Sequence, residues 1–165
     1  MSELKENNKV LKTSVRVALG WVFLWPFLDK LFGLGFATQP DKAWLNGGSP
    51  TYGFLAKGTA GPLAGFYQSI AHYAVVEWIF MLGLVFVGTA LLLGVSVKIA
   101  GYSGAVMMLL IWSARLLPEQ NPLIDEHIIY TLVLIWLTRT DVARQFGIGK
   151  WWRNLHFVKK YPILQ

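Results

Sequence analysis

Apolar residues fall into four long runs, each bounded by polar or charged positions. The first, "SVRVALGWVFLWPFLDKLFGLGF", occupies about residues 14–36. The second, "WIFMLGLVFVGTALLLGVSV", carries no charge from Trp78 to Val97. The third, "IAGYSGAVMMLLIWSA", lies between Lys98 and Arg115, and the fourth follows Asn121-Pro122. About 20 apolar residues cross about 30 Å of hydrocarbon as a helix. The second run meets that length outright, and the others meet it when their charged ends are included. The pattern predicts an all-α, integral-membrane four-helix bundle, a single domain over residues 1–165. Its spans lie at about 14–36, 77–96, 98–117 and 122–140, followed by a tail at 141–165.

The segment between the first two spans, residues 37–76, is too long for a simple turn and is rich in Trp, Tyr and Phe. It reads as an ordered cap on the outer interface. Within it, "NGGSPTYGF" gives a Gly-Gly turn, then Ser49 as a helix cap with Pro50 at the first helical position. "GPLAGFYQSIAHYAVV" reads as a second short helix leading into span two. Asn121-Pro122 reads as the start of the fourth helix. The tail "GKWWRNLHFVKKYPILQ" mixes aromatics with Arg and Lys, as an interfacial helix on anionic headgroups does.

Composition agrees with this reading. The chain is 55% hydrophobic and 15% charged, with mean hydropathy +0.46; soluble domains carry about 25% charged residues. Cysteine is absent, which excludes thiolate catalysis, disulfide exchange, Cys-ligated zinc and iron–sulfur clusters. The net charge of +6 comes from an asymmetric distribution, not from a nucleic-acid-binding patch. With four spans, only Lys30, Lys42, Lys57 and Arg115 fall on the side away from the termini. The positive-inside rule then makes both termini cytoplasmic. The basic N-terminal head lacks a small-residue cleavage site, so the first run reads as a retained span.

Depth is the main clue to chemistry. At about 1.5 Å per residue, Asp29 and Lys30 lie about 20 Å above Arg16. His127 lies about 18 Å and Asp125 about 21 Å above Arg139, and Arg115 about 26 Å above Lys98. Glu77 reaches a similar level from the turn at Gly94. A lone charge at mid-bilayer costs about 2.5–3.5 kcal/mol on insertion scales. These groups are therefore expected to face one shared polar chamber and to pair, Arg115 with Asp125 and Lys30 with Glu77. Trp25, Trp112 and Tyr130 are candidates to line an apolar slot beside them. Plainer roles suit other residues: Glu126 serves the helix dipole, Arg16 snorkels to the cytoplasmic headgroups, and His72 and His156 are interfacial. Only His127 is clearly within a span, so a bis-histidine haem is not predicted, nor is a metal site. Ala100, Gly101, Gly104 and Ala105 on span three, with Ala90 and Gly94 on span two, predict close helix packing.

The segments "RVALGWVFLWPFLDKLFG", "VVEWIFMLGLVFVGTALLLG" and "NPLIDEHIIYTLVLI" resemble the DoxX family of four-span membrane proteins. "AWLNGGSPTYGFL" looks especially like its DoxD branch, the membrane subunit of thiosulfate:quinone oxidoreductase. The resemblance spans residues 14 to about 140. It implies a prokaryotic cytoplasmic membrane, quinone as electron acceptor, thiosulfate oxidised to tetrathionate, and a second small subunit. The resemblance assigns no residue roles; the depth argument makes Asp125 and His127 the candidates to relay protons, Arg115 and Lys30 to attract the anionic substrate, and Asp29 and Glu77 to complete the polar site. Two other readings stay open: a non-enzymatic assembly subunit whose cap docks a partner, and a small transporter, which ranks lower without paired broken helices. Self-association stays open too.

Overall fold

The computed structural model describes residues 2–117, 121, 123–140 and 147–164, with backbone alone for residues 2–5 and 7. It is all-helical, and no strand occurs among the described residues. Four long helices form the frame: α1 (Ser2–Phe32), α3 (Ala74–Leu93), α4 (Val97–Ala114) and α5 (Glu126–Thr138). The short α2 (Ala64–Ser69) precedes α3, and α6 (Gly149–Asn154) and α7 (His156–Lys160) form the tail. Packing follows chain order, α1 on α3, α3 on α4 and α4 on α5, with α1 also touching α5.

One core joins these helices. Phe23 of α1, Met81, Val87 and Leu91 of α3, Val97 and Ala100 of α4, and Leu134 and Leu137 of α5 are all fully buried. Val75, Ile79, Leu82 and Phe86 form an exposed apolar stripe on the opposite face of α3. α3 and α4 are long and apolar enough to cross a membrane, with mean hydropathies of 2.2 and 1.4. Yet only 33% and 39% of their apolar windows are buried. An apolar helix in a water-soluble fold hides most of its surface. In these two, large apolar side chains such as Ile79, Leu82, Val106 and Leu110 stay exposed. α5, with 13 residues, is about 20 Å long and too short to span a bilayer as a helix alone.

Small residues set the helix spacing. A Cβ placed at Gly88 would lie 2.7 Å from the Leu24 backbone nitrogen, so α1 and α3 meet there backbone to backbone. Gly20 makes the reciprocal approach to Leu92. Gly101 is closed off by Thr138 and by the Leu134 carbonyl of α5, as the small-residue pattern on span three predicts. Gly94 ends α3 in the left-handed conformation at φ 75°.

Three expectations change. Arg16 does not snorkel: it is 1% exposed. α1 begins at Ser2, not near residue 14, so Arg16 sits within a continuous helix and faces the bundle. The start of α5 lies later than Asn121-Pro122. Asn121 instead accepts the amides of Leu123 and Ile124 at 3.2 Å in a local turn, and Pro122 lies outside the described residues. The tail is two short helices broken at Leu155, not one. Trp152 Nε1 donates to the Leu164 carbonyl (2.7 Å) and Lys98 Nζ to that of Pro162 (3.1 Å), folding the tail against the start of α4.

Candidate functional site

The groups singled out by depth lie at the end of the bundle that carries residues 33–73, but Arg115, Asp125 and His127 line one cleft, Lys30 lines another, and Asp29 and Glu77 line neither. The first forms where α4 ends and α5 begins. Asp125 is the N-cap of α5, with extended backbone (φ −120°, ψ −172°). Its Oδ1 accepts the amides of His127 (3.0 Å) and Ile128 (3.3 Å). Its Oδ2 lies 2.9 Å from His127 Nδ1. The sequence Asp-Glu-His at the head of an apolar helix thus has a local cause. Asp125 satisfies the orphan amides, the exposed Glu126 meets the helix dipole, and His127 is held by the capping carboxylate.

Arg115 reaches the same cleft from α4. Its backbone forms an isolated parallel bridge with Ala60, whose amide donates to the Ala114 carbonyl at 3.0 Å. Gly61 allows this approach: at φ +80°, a Cβ there would lie 2.2 Å from the Leu116 carbonyl oxygen. The cap is thereby clamped to the C-terminal end of α4 at Ala114–Leu116. Arg115, Asp125 and His127 line a cavity of about 610 Å³ with Ile111, Ile124 and Ile129. Cationic, acidic and imidazole groups there share apolar walls.

The predicted Arg115–Asp125 pair is not formed. The salt bridge among the described residues is Asp125–His127, because both Asp125 oxygens are engaged within its own helical turn. The predicted Lys30–Glu77 pair is absent for a similar reason. Glu77 accepts a short hydrogen bond from the Ser49 hydroxyl, which itself accepts the Tyr52 amide (3.0 Å); Ser49 thus closes a local turn, while the N-cap of the helix Phe54–Gly58 is Gly53. Asp29 lies 1% exposed and accepts the amides of Phe36 (3.3 Å) and Ala37 (3.1 Å), holding the chain where it turns back after α1. Lys30 lines a second cavity, of about 540 Å³, within the cap.

The three aromatic candidates line neither cleft. Trp25 packs edge-on to Phe36 with ring centres 4.9 Å apart. Tyr130 supports the main core. Trp112 has its Nε1 buried without a hydrogen-bond partner. Ile111 and Ile129 do line the Arg115 cleft. They stand four residues before Arg115 and four after Asp125, a helical spacing that offered a readable signal. Ala60 gave none, because its bridge to Arg115 joins positions far apart in sequence.

The cap role makes a separable prediction. Asp125→Ala should cost about 1–2 kcal/mol of stability, whereas Asp125→Asn, which still caps, should lose a few tenths. Thermal unfolding of the two variants checks this; equal losses would assign the stabilisation to the histidine contact instead.

Comparison of the chain with protein-family models, with curated proteins and with solved structures finds no match in any of the three.

Proposed function

We propose that this is a four-span membrane protein of the DoxX type, both termini cytoplasmic, that passes electrons from a small sulfur anion to membrane quinone in its outer half. The exposed apolar stripes of α3 and α4 support the membrane placement. One observation carries the chemistry: a histidine tethered by a carboxylate faces the same apolar-walled cleft as an arginine. The cavity falls within the range of about 300–1,000 Å³ usual for small-molecule sites. Its isoleucines suit a flat ring, and its polar groups suit the ring's carbonyl oxygens.

Quinone supplies the two-electron sink when bound there. Two thiosulfate ions lose one electron each and join through a new sulfur–sulfur bond as tetrathionate, and the quinone gains both electrons and two protons. His127, with Nδ1 held by Asp125, can deliver a proton from Nε2 toward a carbonyl oxygen. Asp125 fixes the orientation of the ring through its contact with Nδ1. Arg115 offsets the negative charge of the arriving anion and of the reduced ring. A second small subunit fits this scheme as a partner docked on the cap.

The test has two readouts. Purified protein should retain extractable quinone, and vesicles containing it should reduce a short-chain quinone when thiosulfate is added. His127→Gln should slow reduction at least about 100-fold, the scale of a lost general acid, with unchanged thermal stability. A wild-type protein that neither binds nor reduces quinone would overturn the proposal and leave an assembly subunit as the better reading.

A further inference from the structure

The end of the bundle opposite the two clefts carries a surface that the electron-transfer chemistry leaves unused. α4 begins there and α5 ends there, and the two helices touch: a Cβ at Gly101 would lie 2.4 Å from Thr138 Cγ2. The next residue on each helix is polar and exposed. Tyr102 stands beside the side chains of Thr138 and Arg139, and Lys98, one turn earlier on α4, lies near enough to add its charge. Lys98 is held in place by its 3.1 Å hydrogen bond to the Pro162 carbonyl of the folded tail. An ammonium has three donors, so donors remain for a ligand. Lys12 of α1 adds a third cation, 5.8 Å from the centre of the Trp136 ring, which lies one turn before Arg139.

No described carboxylate pairs with these cations. Among the described residues the ion pair is Asp125–His127 at the opposite end, and the acid at this end is Glu6, near the start of α1. The sequence places Glu3 and Asp141 on this side too, and their side chains lie outside the described residues. Residues 147–164 of the tail carry Lys150, Arg153, Lys159 and Lys160 and no acid. The same tail exposes Trp151, Phe157 and Tyr161. Aromatic rings beside lysines are the pattern of a membrane–water interface.

What adjoins the cations identifies the occupant. From Tyr102 an exposed apolar stripe runs along α4 through Val106 and Leu110, one and two turns on. From Arg139 a second runs back along α5 through Trp136, Leu132 and Ile129. A ligand that uses both features has an anionic head and long apolar chains. Free phosphate would use the cations alone, and a soluble acidic protein would not reach stripes set within the hydrocarbon. We infer that the cytoplasmic seam of α4 and α5, with Lys98, Tyr102 and Arg139 at its rim, binds the headgroup of an anionic phospholipid. The bound lipid also braces the tail, because Lys98 joins the headgroup to the Pro162 carbonyl. The inference rests on the membrane placement proposed above and not on the quinone chemistry.

The experiment uses the full chain, stripped of lipid in mild detergent and titrated with phosphatidylglycerol or phosphatidylcholine under native mass spectrometry. Phosphatidylglycerol should bind at least about tenfold more tightly, since two cations face its headgroup without a paired acid. It should also slow tryptic cleavage of the tail after Lys160. The double change Lys98→Gln with Arg139→Gln should remove both effects and leave phosphatidylcholine binding unchanged, which controls for folding. Lys98→Arg with Arg139→Lys should keep the preference, and Lys57→Gln, at the other end, should not alter it. Equal binding of the two lipids by the wild type would overturn the inference, as would an undiminished preference in the glutamine variant. So would displacement of phosphatidylglycerol by equimolar inorganic phosphate or by an equimolar polyglutamate peptide, which would assign the surface to a free anion or an acidic partner. Quinone is absent throughout, so failure of quinone reduction and failure of this site are separate results.

Discussion

Gly88→Ala should lower stability by about 3 kcal/mol, the upper end of the usual overpacking penalty. At an exposed helical position the same change would add up to about 1 kcal/mol, since alanine is the better helix former. The sign reverses because of what lies opposite. A Cβ at Gly88 meets the backbone nitrogen of Leu24 at 2.7 Å and its α-carbon at 2.9 Å. Backbone cannot rotate away as a side chain can, so α1 must shift from α3 and open the core around Phe23 and Val87. Gly65→Ala is the control. Gly65 lies in α2, a Cβ there meets nothing within 4 Å, and stability should rise by about 0.5–1 kcal/mol. Thermal unfolding in detergent reads both. A gain for Gly88→Ala would mean that α1 and α3 do not meet at this point.

Asp29→Ala should cost about 3 kcal/mol and loosen the start of the cap. The carboxylate is 1% exposed and accepts two backbone amides from the chain that turns back after α1. Hydrogen bonds to a charged group are worth about 1.5–3 kcal/mol each, and removing the acceptor leaves amides without a partner. Asp29→Asn keeps one acceptor oxygen and should lose about half as much. Thermal unfolding gives the energies, and tryptic cleavage after Lys42 reports the cap. Faster cleavage in the alanine variant, and an intermediate rate in the asparagine variant, are expected. Unchanged cleavage with lost stability would place the role of Asp29 in the bundle alone.

The two variants mark where sequence reasoning reaches and where it stops. The small residues of α4 were readable as a packing face because they recur at helical spacing. Gly88 is one of several glycines in an apolar run, and nothing local distinguishes it until Leu24 lies opposite. Asp29 was readable as costly at its depth. Depth along a helix does not give the partner, and here the partner is the backbone of a loop seven and eight residues ahead. Arg16 misled for a related reason. Its run of apolar neighbours begins near residue 14, while the helix continues back to Ser2 through polar positions that carry no apolar pattern.

The amino-acid order by itself determined the helical class, the α3 and α4 segments, the turn at Gly-Gly, and the placing of Asp29, Lys30, Glu77, Arg115, Asp125 and His127 toward one end. These follow from local physics: apolar period, backbone preference of Gly and Pro, and rise per residue. Tertiary structure alone decided which groups meet. It sent Asp29 and Glu77 to loop contacts, joined Asp125 to His127 and not to Arg115, and brought Ala60 against Arg115 to close the first cleft. It also split one expected chamber into two. Azimuth and loop return depend on contacts between distant segments, and no periodicity within a single helix encodes them.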